Sequence, residues 1–264
     1  RNAVQGIKWT INPNTVPGSN NNCNPFVVYG DALTSIKNIV IDSNVIRNNI
    51  NGFSENLTLD GNVEAFTISN NKVYDNTNIG IDCAGNYGVC SNPALDQARN
   101  GLVVNNLCYN NVSNYATSAG IYVDGGRDIV IERNICYGNG WGIEIGAEED
   151  GTVSNIIVRD NLIFHNIDSG LAFGGYTTET LGQVINSTFI NNTLFENDLS
   201  MHLNGEIYMS KASNCVFRNN IVRSNEQNTM ITRVDITPQM NNTFAYNCWS
   251  TPSDDPEDID ANWG

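Results

Sequence analysis

Short apolar–polar alternations recur along this chain at a nearly constant interval. The runs NIVID, AFTIS, GLVVN, DIVIE, NIIVR and STFIN each alternate with a period of two, which predicts half-buried strands rather than helices. Each run leads into a segment framed by asparagines. These read SNVIRNN (43–49), NNKVYDN (70–76), NNLCYNN (105–111), RNICYGN (133–139), DNLIFHN (160–166), NNTLFEN (191–197) and NNIVRSN (219–225), with a degenerate YNCWS at 246–250. The first framing Asn stands at 44, 71, 106, 134, 161, 192, 220 and 247, so the intervals are 27, 35, 28, 27, 31, 28 and 27 residues. The second, at 49, 76, 111, 139, 166, 197 and 225, keeps the same intervals. A third apolar run closes each period: LTLDG (57–61), GIDCAG (80–85), GIYVDGG (120–126), GIEIGAE (142–148), GLAFGGY (170–176) and SMHLNGE (200–206).

Three short strands in each ~28-residue period, with no helical segment between them, predict an all-β solenoid, a parallel β-helix of eight to nine coils. A single coil cannot cover its own apolar face, so the stack is the folding unit. The two Asn columns are expected at the bends, each side-chain amide hydrogen-bonding the next coil. Residues 36–250 hold the regular repeat. Residues 1–35 read as an irregular coil (GIKWTIN, then PFVVYGD) with a polar loop, and 251–264 as an acidic, proline-broken tail. The open ends of a solenoid need cover, which further domains or an oligomer would supply.

Composition narrows the chemistry. With 13 basic and 28 acidic residues the net charge is −15, which argues against a nucleic-acid partner. No apolar run reaches the ~20 residues of a membrane-spanning helix, so membrane insertion is not expected. Asn, a poor helix former, occurs 45 times. Seven cysteines with no CxxC pair and only two histidines leave no zinc-binding pattern. Cys83 and Cys90 flank a loop and are weighed as a disulfide. Cys108 and Cys136 fall at matching inward positions and read as core thiols. Tyr74, Tyr109, Tyr137, Phe164 and Phe195 form a column that reads as a stabilising stack.

Strand parity sorts the third run into inward and outward positions. The outward residues form two columns, Thr58, Asp82, Tyr122, Glu144, Ala172, His202 and Asp60, Ala84, Asp124, Gly146, Gly174, Asn204. Asp82, Asp124 and Glu144 thereby share one face on consecutive coils, with Asp124 ~8 Å from either neighbour by lattice geometry. Paired carboxylates at that range suit a general acid beside a general base, as in inverting glycoside hydrolysis. Asp124 or Glu144 is expected to donate the proton and Asp82 to act as base. Tyr122, Tyr176, Arg127, Glu148 and His202 are expected to contact substrate. No cofactor is required, although Ca²⁺ held by Asp82, Asp124 and Glu144 would relieve the same repulsion. The longest period inserts CAGNYGVCSNPALDQARN (83–100) directly after Asp82, a loop that reads as a cleft wall.

With its Asn columns and GIYVDGGRDIVIERN-type repeats, the solenoid resembles the right-handed parallel β-helix repeat family. That resemblance implies a secreted or cell-surface protein acting on a polysaccharide or oligosaccharide, because the family is dominated by polysaccharide lyases and hydrolases, with tail-spikes, adhesins and epimerases beside them. The NTD, GHG and RIK motifs of polygalacturonase-like hydrolases are missing here. So are the DH signature of pectate lyases and the YG-x-DPH signature of the epimerases, so no catalytic residue carries over. The expectation is a glycoside hydrolase. The alternatives are a Ca²⁺-dependent lyase of a uronate polymer, with Arg127 as base, and a non-catalytic carbohydrate-binding or adhesin module.

Overall fold

The computed structural model describes all residues except 19–20, 176–181, 235–238, 254–259 and 263–264. Its described residues contain no helix; parallel strands wind into about eight coils with three parallel sheets. The first sheet gathers the strands preceding the first framing Asn, from Val40–Asp42 through Thr67–Ser69, Arg99–Val104 and Arg127–Glu132 to Thr243–Ala245. The second sheet runs between the framing asparagines, from Ala3–Gln5 and Val45–Arg47 to Cys248–Ser250. The third begins at Phe26–Gly30 and passes through Leu57–Gly61, Ile81–Cys83, Ala119–Asp124, Trp141–Ala147, Ser169–Gly175, Ile207–Met209 and Thr229–Arg233 to Asp260–Asn262. Both ends therefore join the solenoid. Residues 1–35 supply strands to the second and third sheets, and 251–264 a strand to the third.

Inward-facing residues of the three sheets meet in one core. Ile46, Ile68, Ile81, Ile121, Ile131, Ile143, Val158, Ile163 and Leu171 are fully buried there. Removing such apolar area from water, at ~25 cal/mol per Å², is the main force holding the coils together. The corners are built from left-handed backbone. The residue before each first framing Asn has positive φ: Ser43, Asn70, Asn105, Arg133, Asp160, Asn191, Asn219 and Tyr246. The same holds before the second Asn at Asn48, Asp75, Asn110, Gly138, His165 and Glu196. A third column lies within the first sheet, at Asn38, Ala65, Asn100, Asp128, Asn155, Asn186, Asn214 and Asn241, and bends its strands. The repeated Asn and Asp at these places follow from their tolerance of that backbone.

The framing asparagines stack as two ladders. In the first, each backbone N–H and Nδ2 donates to Oδ1 of the next Asn, as from Asn106 to Asn134 at 2.9 and 3.0 Å and from Asn134 to Asn161 at 2.9 and 3.1 Å. Asn2 extends this ladder at its start and Asn247 ends it. The second ladder runs from Asn49 to Asn197 and then departs from expectation. Asn225 instead donates to the carbonyls of Asn197 and Asp198, and the ladder ends on Glu206, which accepts from the N–H (2.7 Å) and Nδ2 (2.5 Å) of Asn197. Glu206 is the residue before Ile207, which pairs Leu171, so it occupies the column of Gly80, Gly120, Gly142 and Gly170. Those glycines leave room for ladder amides: a Cβ on Gly142 would lie 2.8 Å from Asn166 Nδ2.

The remaining structural expectations divide. Cys108 and Cys136 are register partners and buried, and Tyr74, Tyr109, Tyr137 and Phe164 stack at 4.7–5.0 Å. Phe195 instead tilts against His165 at 5.8 Å. The disulfide is absent. Cys83 and Cys90 are both free, because Cys83 faces the core while Cys90 sits in the inserted loop, its Sγ directed at the Ala32 carbonyl.

Candidate active site

Alternate side chains of the third sheet face outward, and near its N-terminal end they carry acids. Asp60 pairs with Tyr29, Asp82 lies between Thr58 and Tyr122, Tyr122 between Asp82 and Glu144, and Asp124 beside Gly146. The inserted loop folds over this patch. Buried Asp96 accepts the N–H groups of Gly88 and Cys90 at 2.7 Å each, and the loop's Tyr87 reaches across to donate to Asp124. The expected cleft wall is thus built from the loop and capped by a phenol.

The result is a cleft of about 590 Å³ lined by Glu55, Asp60, Asp82, Asp124 and Glu148, with Tyr29, Phe53 and Tyr87 among its walls. No described residue lining it is cationic. Asp82 is only 3% exposed and Asp60 only 7%, and each leaves an Oδ1 without a hydrogen-bond partner. Burial lifts the Asp82 carboxyl well above its ordinary range, with Glu55, Asp124, Asp60 and Glu148 adding to the effect. Asp124 is raised by burial and by Glu148 too, but the Tyr87 hydroxyl and the Glu148 N–H (2.9 Å) pull against that shift. Burial brings Glu55 to about 7, and burial with Asp96 nearby brings Asp60 to about 6.

The expected residues separate in space. Asp82, Asp124 and Glu148 line one cleft. Glu144 lies in an adjoining hollow of about 140 Å³ with Tyr122, Trp141 and Tyr208. Tyr122 is 2% exposed and packs against Ile79, Trp141 and Ala172, so little of its ring is open to a ligand. Arg127 opens the next strand of the first sheet, and its guanidinium is spent on Gln97 (3.2 Å) and Asp128 (2.7 Å). Tyr176 lies outside the described residues. The column placement of His202 is corrected. Tyr208, not His202, follows Ala172, because the third strand of that coil is Ile207–Met209. Residues 201–203 form an exposed turn with positive φ at Met201 and Leu203, and His202 contacts Ser200 there.

Two cleft residues were missed by sequence reading, Glu55 and Tyr87. Both sit on connecting loops, where no period marks them. Asp60 fell in the second outward column but was not singled out. Among the described residues no three His, Cys, Asp or Glu side chains converge as a metal-ligand set; the carboxylates are spread along the cleft. No described helix is long and apolar enough to cross a membrane.

No protein-family model matches the chain. The uncharacterized protein YwoF of Bacillus subtilis (strain 168) is 34% identical over 223 residues, covering 81% of this chain and 47% of that protein. The chain thus spans about half the length of the curated relative it matches. Three solved structures share its architecture at low identity. The periplasmic alginate epimerase AlgG has a TM-score of 0.58 at 14% identity, over 84% of this chain and 47% of that one. The A-module of the Azotobacter vinelandii mannuronan C-5 epimerase AlgE6 has a TM-score of 0.52 at 12% identity, over 86% and 57%. Endopolygalacturonase I of Stereum purpureum, solved with two galacturonates, also scores 0.52, at 17% identity over 83% and 67%. The chain is a right-handed parallel β-helix, the fold on which those polysaccharide-acting enzymes are built.

Proposed function

We propose that this protein is an extracellular glycoside hydrolase that cleaves a polysaccharide in the third-sheet cleft. The observation that carries the reading is a cleft with five carboxylates, two of them buried with an unpartnered oxygen, and no cationic side chain among its described lining. A lyase or epimerase acting on uronates must neutralise the substrate carboxylate, and nothing in that lining offers a positive charge. A hydrolase needs only carboxylates in two protonation states.

Their surroundings assign the roles, and they reverse the simplest expectation. Asp82 is buried with no donor directed at it, so its neutral form is favoured and it keeps a proton to give to the leaving oxygen. Asp124 receives two hydrogen bonds, which favour its ionised form and suit it to take a proton from water. One coil and two residues separate them, ~8 Å on the sheet lattice, within the ~6.5–9.5 Å that leaves room for water in an inverting mechanism. Glu148 contributes its N–H to Asp124, and Glu144 faces the sugar bound in the adjoining hollow. Fold likeness to polysaccharide-acting enzymes and the −15 net charge are both compatible with a neutral or cationic glycan outside the cell.

The test is a polysaccharide panel scored for new reducing ends and for the ultraviolet absorbance of unsaturated products. Reducing ends without absorbance are expected. Asp82→Asn and Asp124→Asn should each lower turnover ~10²–10⁴-fold while remaining folded. Unsaturated products would replace hydrolysis by elimination, and wild-type turnover in both variants would move the active site elsewhere.

A further inference from the structure

The acids of the cleft outnumber what a hydrolytic pair requires. Asp60 and Glu55 line the same cleft as Asp82, on its N-terminal side, and neither is needed to move a proton at the scissile bond. Asp60 is more than nine-tenths buried, with its Oδ1 directed to no protein donor. Glu55 accepts only a 3.2 Å bond from Thr58 among side chains. Burying carboxylates this way is costly unless a partner arrives. A hydroxyl would satisfy one oxygen but leave the like charges of Glu55, Asp60, Asp82 and Glu148 opposed.

We infer that the cleft recognises a glycan carrying protonated amines, a de-N-acetylated amino-sugar polymer, with Asp60 and Glu55 receiving the ammonium of the sugar beside the reacting pair. This rests on the reading of the cleft as a glycan site and names its substrate class. A divalent cation is the other positive partner, but a metal needs several oxygens converging on one point, and the described acids form no such group. Ammonium groups spaced along a polymer match carboxylates spaced along the stack, since a pyranose unit is about as long as the ~4.8 Å between coils. Tyr29, Phe53 and Tyr87 line the same walls, and aromatic faces attract both sugar rings and nearby cations. The raised carboxyls of Glu55 and Asp60 fit the unliganded state, because an arriving ammonium would return them to the ionised form.

Calorimetric titration of the intact chain tests the inference, comparing a glucosamine hexasaccharide, its fully N-acetylated twin and a galacturonate oligomer. The titrations are run in EDTA, at a pH where the amines are protonated. The glucosamine oligomer is expected to bind at least ~10-fold more tightly than the acetylated one, and the uronate not at all. Asp60→Asn should remove ~10-fold of affinity for the amine oligomer and leave that for the acetylated oligomer unchanged. Equal or tighter binding of the acetylated oligomer overturns the inference, as does uronate binding restored by Ca²⁺. Cleavage is scored separately. Amine-selective binding without new reducing ends refutes the hydrolase and keeps the recognition, whereas hydrolysis without amine selectivity does the reverse.

Discussion

A single residue at each corner of a coil adopts a left-handed backbone, and the side chain placed there decides whether the corner is relaxed. Asn and Asp hold most of these positions, but Arg133, His165, Glu196 and Tyr246 hold others. For an ordinary L-residue this conformation costs ~1–2 kcal/mol. Tyr246 offers no compensation visible in its surroundings, since it is 87% exposed. Replacing it by Gly should stabilise the protein by ~1 kcal/mol, and Tyr246→Asn should do so more weakly. Thermal melts of the two variants check this; an unchanged or lowered midpoint for Tyr246→Gly would show that the ring contributes packing. At this scale the sequence was only partly legible. The repeated Asn-Asn pairs announced two of the corner columns. The third, through Ala65, Asp128 and Asn186, passed unnoticed because it interrupts runs that alternate as continuous strands.

Among elements, the Asn ladders bind coil to coil. Asn134 donates to Asn161 Oδ1 through its N–H and Nδ2, donates also to the Val103 carbonyl at 3.0 Å, and accepts from Asn106. Asn134→Ala strands several buried polar groups at once and is expected to cost ~1–3 kcal/mol. Chemical denaturation should show that loss as a lower midpoint at unchanged slope; no change would mean that water replaces the amide. The ladders were legible because both columns keep one set of intervals. The slip at the coil after Asn197 was not, because SMHL and EIYM alternate equally well. The resolving residue is Glu206, a charged side chain standing where the other coils have Gly, and periodicity gives it no weight. The cleft divides the same way. Asp82 and Asp124 lie on periodic strands and were legible, whereas Glu55 and Tyr87 enter from loops.

The whole molecule carries more acid than base and buries several of those acids, so its stability must depend on pH. Burial raises Glu206 to about 8, Glu55 to about 7 and Asp60 to about 6. Between their unfolded and folded values these groups bind more protons in the native state. Their stabilising effect is then complete below the unfolded carboxyl range and is lost as pH rises through about 6 to 8. Asp42 works in the other direction. Hydrogen bonds from Ser69, Asn70 and Ser43 hold it at about 2, so its contribution disappears only in strong acid. The melting temperature should therefore be highest in mildly acidic solution and decline towards mildly alkaline pH. Glu206→Gln should flatten the upper part of that decline and lower stability throughout by ~1–3 kcal/mol, because one amide oxygen cannot accept both Asn197 bonds. A pH-independent midpoint would contradict the assignment of these groups as buried acids.

The ladders also have a direction. Every framing Asn offers its donors to the following coil and its acceptor to the preceding one, so the side-chain amide dipoles all point the same way. Their sum leaves a partial positive pole at the C-terminal end of each row, as aligned peptides do at the start of a helix. Glu206 stands at that pole of the second row. The solenoid thereby has an electrical polarity along its axis, and the buried carboxylate that interrupts its periodicity is the counter-charge on which that polarity terminates.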